Sequence, residues 1–126
     1  NDKIIQVHDV LTTLQDLACF HREYLGLPII ALTGSNGKTT TKELINKILQ
    51  QRYKTIATNG NLNNHIGVPL TLLRMTIDTE IGIVEMGANH AKEIELLCNI
   101  AKTKPTLRGL GLSMELYLLK ASCMTI

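Results

Sequence analysis

Residues 31–42 read Ala-Leu-Thr-Gly-Ser-Asn-Gly-Lys-Thr-Thr-Thr-Lys and lie between a continuous apolar run, Leu27-Pro28-Ile29-Ile30-Ala31-Leu32, and a stretch of helical periodicity. No other part of the chain narrows the fold as much, because strand, glycine loop and helix in that order form the arrangement that cradles nucleotide phosphates. Gly34 and Gly37 permit backbone conformations closed to other residues, so several N–H groups can converge on one anion. A helix beginning near Lys38 adds N–H groups without intrahelical partners, together with the positive end of its dipole. Lys38 can reach the outer phosphates and Thr39 offers a hydroxyl to Mg2+. Gly34, Ser35, Asn36, Gly37, Lys38, Thr39 and Thr40 are the candidate ATP-phosphate residues. The longer form of this loop carries glycine where the chain has Leu32, and a simple Gly-Ser-Asn-Gly turn is the plainer alternative.

The rest of the chain fits an α/β domain. Val7–Leu25 carries a helical stripe of Val7, Val10, Leu11, Leu14, Leu17, Ala18, Tyr24 and Leu25, and Gly26 and Pro28 end it. Ile29–Thr33 reads as a buried strand, and Thr39–Gln51 as a helix with Leu44, Ile45, Ile48 and Leu49 on its core face. Thr55–Ala57 is a short strand, Pro69–Met75 a helix, Ile81–Glu85 a third strand and Ala91–Ala101 a third main helix. Strands alternating with helices predict a parallel sheet flanked by helices, with ligands at the carboxyl ends of the strands.

Composition excludes several alternatives. With 126 residues, 44% hydrophobic and 19% charged, the chain can bury one core. A net charge of +2, no basic run, three tyrosines and one phenylalanine give nothing for nucleic acid to bind. Cys19, Cys98 and Cys123 show no metal spacing and suit a reducing compartment. No apolar run approaches the roughly 18 residues that read as a membrane span, so no membrane insertion is expected.

Two further segments carry chemistry. Glu85 ends an apolar strand on the side of the phosphate loop, where a carboxylate can hold magnesium or simply form part of the rim. Thr58–Pro69 is dense in amides, suited to phosphate, sugar or carboxylate recognition, although taken alone an Asn-Gly turn before a helix is the plainer reading. His65 and His90 flank these loops and read as hydrogen-bonded structural residues.

Thr33-Gly34-Ser35-Asn36-Gly37-Lys38-Thr39-Thr40, Asn61-Leu62-Asn63-Asn64-His65-Ile66-Gly67-Val68-Pro69 and Glu85-Met86-Gly87-Ala88 together resemble the Mur ligase family, ATP-dependent amide-forming enzymes of peptidoglycan assembly. The likeness runs over residues 7–106. It is nearest to the branch that adds D-alanyl-D-alanine to a UDP-muramoyl-tripeptide, which shares a helix like Leu14–Leu25 and the Asn89-His90 pair. The resemblance implies a P-loop-type central domain, ATP and Mg2+, and a cytoplasmic enzyme that is monomeric at full length. It implies a catalytic Lys38 that stabilises the transferring phosphoryl group, metal ligation by Thr39 and Glu85, and Asn63 and Asn64 near the substrate. UDP-muramoyl-peptide and D-alanyl-D-alanine would be the substrates. Another amide ligase of the superfamily, including the folate polyglutamate enzymes, and a non-catalytic nucleotide-binding remnant are the alternatives.

The likeness stops after Lys104-Pro105-Thr106, where the family continues with a strand and a histidine motif absent here. Leu112, Leu116 and Leu119 have helical spacing, the plain reading of the tail. Read one base earlier, permitted codons for residues 107–126 give a sequence resembling the family's continuation, so an out-of-frame tail is expected. The expected division is a lead-in linker and helix over 1–26, the N-terminal part of a truncated central domain over 27–106, and the tail over 107–126. A sheet cut short in this way would leave an open edge.

Overall fold

The computed structural model describes residues 3–87, 91–103 and 114–119. Asp9 starts helix α1 (Val10–Leu25) by accepting the Leu11 N–H at 3.0 Å and the Thr12 hydroxyl. The Thr12 bond, and then the Leu11 bond, hold the Asp9 carboxyl below its ordinary value. Gly26, left-handed at φ 60°, closes the helix and turns the chain into strand β1 (Ile29–Gly34). Helix α2 (Lys38–Leu49), strand β2 (Thr55–Ala57), helix α3 (Gly67–Leu73), strand β3 (Ile81–Glu85) and helix α4 (Ala91–Ala101) follow, and strand β4 spans Met114–Leu119.

Three strands are parallel, in the order β2-β3-β1, with Ile29 opposite Gly82 and Leu32 opposite Glu85. The connection from β1 to β2 steps over the place that β3 fills, and the one from β2 to β3 steps back. Right-handed crossovers in opposite directions put their helices on opposite faces. Accordingly α2 packs on the strands from one side, while α3 joins α1 and α4 on the other. Side chains alternate along a strand. Ile29 and Ala31 of β1 and Val84 of β3, with Met86 beyond it, join Ala18, Val68, Leu72 and Leu97 in the main core. Each large apolar side chain buried there contributes about 1.5–3 kcal/mol. Glu85 falls in the opposite set, on the α2 face.

The predicted elements form, within about three residues at their ends. The faces of two helices differ from expectation. On α2, Leu44 and Ile48 point to solvent, and the residue wholly buried is Lys42. The loop geometry fixes Lys38 toward the strand ends, and every residue one turn further along follows that face. On α1, Val10, Leu17 and Tyr24 are exposed, and the inward face carries Ala18 and Arg22. The Arg22 Nε–H donates to the Ala101 carbonyl at 3.2 Å, so its guanidinium satisfies the last turn of α4. Burial lowers the Arg22 pKa.

The tail differs too. The backbone of Met114–Leu119 is a strand, not a helix, and pairs antiparallel with β1 from Gly34↔Met114 to Ile29↔Leu119. The β1 edge is therefore paired rather than open, which removes the unsatisfied peptide groups that an edge exposes. Asn89, His90 and Lys104-Pro105-Thr106 lie outside the described residues, as does the rest of the tail.

Helix α4 ends on a residue that suits its conformation poorly. Thr103 N–H bonds the Cys98 carbonyl at 2.8 Å and Lys102 N–H the Asn99 carbonyl at 3.3 Å, with Lys102 left-handed at φ 52°. This helix stop favours glycine. A side chain there costs about 1–2 kcal/mol, and glycine's backbone entropy returns ~0.5–1 kcal/mol of that. Lys102→Gly is expected to raise stability by about 0.5–1 kcal/mol in urea denaturation. A loss instead would mean that the Lys102–Glu23 ion pair at 3.4 Å outweighs the backbone gain.

Candidate functional site

The carboxyl ends of β1 and β3 lie side by side, and the chain leaves β1 directly into the glycine loop. Gly34 (φ 146°) and Gly37 (φ 76°) take conformations that a side chain would oppose. Gly37 caps α2 without a side-chain hydrogen bond. The start of α1, by contrast, is capped by Asp9, and that of α3 by the Asn64 Oδ1, which accepts the N–H groups of Ile66 at 3.1 Å and Gly67 at 2.8 Å. Of these three helix starts only α2 lacks a capping side chain, which suits its N–H groups to an external anion.

Beside this loop is a cleft of about 880 Å3, lined by Gly34, Ser35, Lys38, Asn63, Asn64 and His65 on one side. Gly87, Glu93, Leu96 and Leu97 complete it. The Lys38 ammonium bonds the Gly34 carbonyl at 2.5 Å. Asn36 and Gly37 form the exposed turn of the loop, and Thr40 is exposed on the first turn of α2.

Glu85 is the polar hub. Its side chain is almost wholly buried and receives the Thr39 hydroxyl at 3.1 and 3.3 Å from its two oxygens. Asn63 Nδ2 donates to Glu85 Oε1 at 2.9 Å, and the Lys42 ammonium is 3.8 Å from Oε2. The Glu85 backbone N–H is held by the Thr58 hydroxyl at 2.9 Å. Gly87 makes this possible: a Cβ there would lie 2.7 Å from the Asn63 side chain. A buried carboxylate persists only when paired and hydrogen-bonded, and here two hydrogen-bond donors, Thr39 and Asn63, and the Lys42 ammonium meet that condition.

The donor set suits magnesium. A hydroxyl and a carboxylate are hard oxygen ligands, and Mg2+ is ordinarily held by one or two carboxylates with substrate phosphates and water. Among the described residues there is no cluster of three His, Cys, Asp or Glu that would form an all-protein metal cage.

Of the predicted residues, Thr39, Glu85 and Asn63 come into direct contact, and Gly34, Ser35 and Lys38 line the cleft beside them. Asn64 lines the same cleft but its Oδ1 is committed to starting α3. His65 also lines it, and its carbonyl accepts from Gln15 Nε2 of α1 at 3.1 Å. Sequence reasoning missed Lys42 and Thr58. The signal for Lys42 was its spacing, four residues after Lys38 and so on the same helix face.

A central parallel sheet, a glycine loop entering a helix and a strand-end carboxylate facing that helix's first hydroxyl define the phosphate-loop class of α/β domains. Residues 32–107 match the Mur ligase middle domain, and the chain belongs to that family. It is 50% identical over 101 residues to the UDP-N-acetylmuramoyl-tripeptide–D-alanyl-D-alanine ligase of Bacillus subtilis, covering 80% of this chain and 22% of that protein. The corresponding diaminopimelate-type D-alanyl-D-alanyl ligase of Acinetobacter baumannii superposes with a TM-score of 0.74 at 43% identity, over 77% of this chain and 22% of that one. The MurF ligase of Thermotoga maritima in complex with ADP gives 0.70 at 36% identity, over 80% and 24%. The chain thus spans about a fifth of the length of these relatives.

Proposed function

We propose that this chain supplies the ATP-phosphate and magnesium site of a ligase that joins D-alanyl-D-alanine to a UDP-muramoyl-tripeptide in peptidoglycan synthesis. The observation that carries the reading is the contact of Thr39 and Asn63 with Glu85 beside the uncapped start of α2. The names of the relatives supply the substrates.

In such a reaction the peptide carboxylate takes the outer phosphoryl group of ATP, and the incoming amine attacks the acyl phosphate carbon as phosphate leaves. The loop N–H groups of Gly34–Thr40 hold the phosphates, and the Lys38 ammonium turns from the Gly34 carbonyl to the transferring group, where charge accumulates. Thr39 and Glu85 would hold the magnesium ion, whose contribution when bound is to neutralise phosphate charge. Asn63 fixes Glu85 from one side and with Asn64 faces the cleft that admits substrate. Among the described residues no helix is long and apolar enough to cross a membrane. A cytoplasmic location is part of the proposed ligase reading. A single copy of the full-length protein is taken to suffice.

The site binds and orients, but the relatives devote some four-fifths of their length to other parts. A phosphate-release assay with ATP, UDP-tripeptide and D-alanyl-D-alanine tests the reading. A full-length ligase carrying these residues should release phosphate only with all three substrates, and the 126-residue chain alone should not exceed background. Release without D-alanyl-D-alanine, or turnover driven by a glutamate acceptor, would redirect the reading to another amide ligase.

A further inference from the structure

Among the described residues Lys42 is the largest wholly buried side chain, and nothing in the phosphate-loop chemistry requires it. A lysine carries its charge into the interior only where partners meet every side of it. Its ammonium donates to the Thr58 carbonyl at 2.8 Å and lies 3.4 Å from the Gly60 carbonyl, 3.1 Å from Glu43 Oε1 and 3.8 Å from Glu85 Oε2. Glu43 is half exposed, so that pair is weakened by solvent. Glu85 is the buried member.

The distances are informative. Lys42 is anchored by a carbonyl and stands back from the Glu85 carboxylate, compensating its charge without covering the oxygens. The close contacts to the carboxylate come from the Thr39 hydroxyl at 3.1 Å and from Asn63 Nδ2 at 2.9 Å, and Asn63 itself lines the cleft. The same ammonium draws in the Thr58–Gly60 backbone, which leads into the loop bearing Asn63. One side chain of α2 therefore joins the phosphate helix, the carboxylate and the amide loop.

We infer that Lys42 is a positioning residue that holds Glu85 in place against Thr39 and Asn63, and so sets the magnesium dependence of nucleotide binding. The inference rests on the phosphate-site reading above and adds to it a residue outside the loop motif. Partners that orient a metal-binding group typically change metal affinity by about 10–100-fold when removed.

The test uses the chain itself, with ADP as the probe, titrated calorimetrically with and without magnesium. Lys42→Met is expected to lower the strengthening of ADP binding by magnesium by about tenfold or more, while metal-free ADP binding stays within about threefold. A merely structural role would weaken both alike. Glu85→Gln should reproduce the loss of magnesium dependence, and adding Lys42→Met to it should cause no further loss. Melting gives a second readout: Lys42→Met leaves a buried carboxylate uncompensated and should lower Tm, and Glu85→Gln in that background should restore about half of the loss or more. If Lys42→Met alone does not fold, folding of the double variant supports the pairing, and failure of both overturns it. Unchanged magnesium dependence in Lys42→Met, equal loss of both binding modes, or no recovery in the double variant would each contradict the inference. Wild-type chain that binds no ADP at all would overturn the proposed function, while the melting cycle still decides the Lys42–Glu85 coupling.

Discussion

Lys38→Ala is expected to weaken binding of magnesium nucleotide about 100-fold, close to 3 kcal/mol, the worth of a charge-assisted bond between ammonium and phosphate. The loop amides would remain, because Gly34 and Gly37 set the backbone independently of the Lys38 side chain. Stability should barely change. The ammonium bonds the Gly34 carbonyl, and the residue is partly exposed at the cleft. Loss of binding with an unmoved Tm separates a phosphate contact from a structural one. Lys38→Arg keeps the charge, but its broader planar head does not fit where a compact ammonium lies against its own loop, and it should recover only part of the affinity.

The second large effect is on folding. Gly67→Ala places a Cβ 2.3–2.5 Å from the carbonyl carbon, Cα and oxygen of Leu62. These are backbone atoms, and no rotamer change relieves the overlap. The chain around Leu62 is pinned on both sides. Leu62 N–H bonds the Asn59 carbonyl at 3.2 Å, and the Asn63 carbonyl accepts the Gly87 N–H at 2.8 Å. Gly67 also begins α3, whose Val68, Thr71 and Leu72 are buried. Overpacking of this kind costs about 1–3 kcal/mol, and contact with fixed backbone puts this site at the upper end, ~3 kcal/mol in chemical denaturation. Any relief comes from shifting Leu62, which drags Asn63 off Glu85. The folded fraction of the variant should therefore also bind magnesium nucleotide poorly. A stability change below about 1 kcal/mol would show that the two segments separate easily.

Much of this was legible from sequence, for identifiable reasons. The strands Ile29–Gly34 and Ile81–Glu85 are buried on both faces, so they stand out as continuous apolar runs. Glu85 was legible because a carboxylate ending such a run must lie at the ligand end of a parallel sheet. The roles of Asn63 and Asn64 could not be separated, because adjacent amides look alike until the turn is built and one points to Glu85 while the other caps α3. Lys42 was hidden by its type. A lysine between polar neighbours reads as a solvated helix face, and Leu44 and Ile48 read as the core face, yet the strand-to-helix geometry reverses both. Arg22 was overlooked on α1 for the same reason. Strand β4 was illegible because Met114–Leu119 lacks clear alternation, and its pairing is decided by the edge of β1 rather than by its own residues.

The most direct test of the phosphate-site account is titration of the 126-residue chain with ADP and magnesium, followed by amide NMR shifts. The account predicts saturable shifts concentrated at Gly34–Thr40, with further magnesium-dependent shifts at Asn63 and Glu85 and both sets lost in Lys38→Ala. Absence of shifts at the loop in a folded wild-type chain, or shifts confined to surfaces away from α2 and the end of β3, would contradict it.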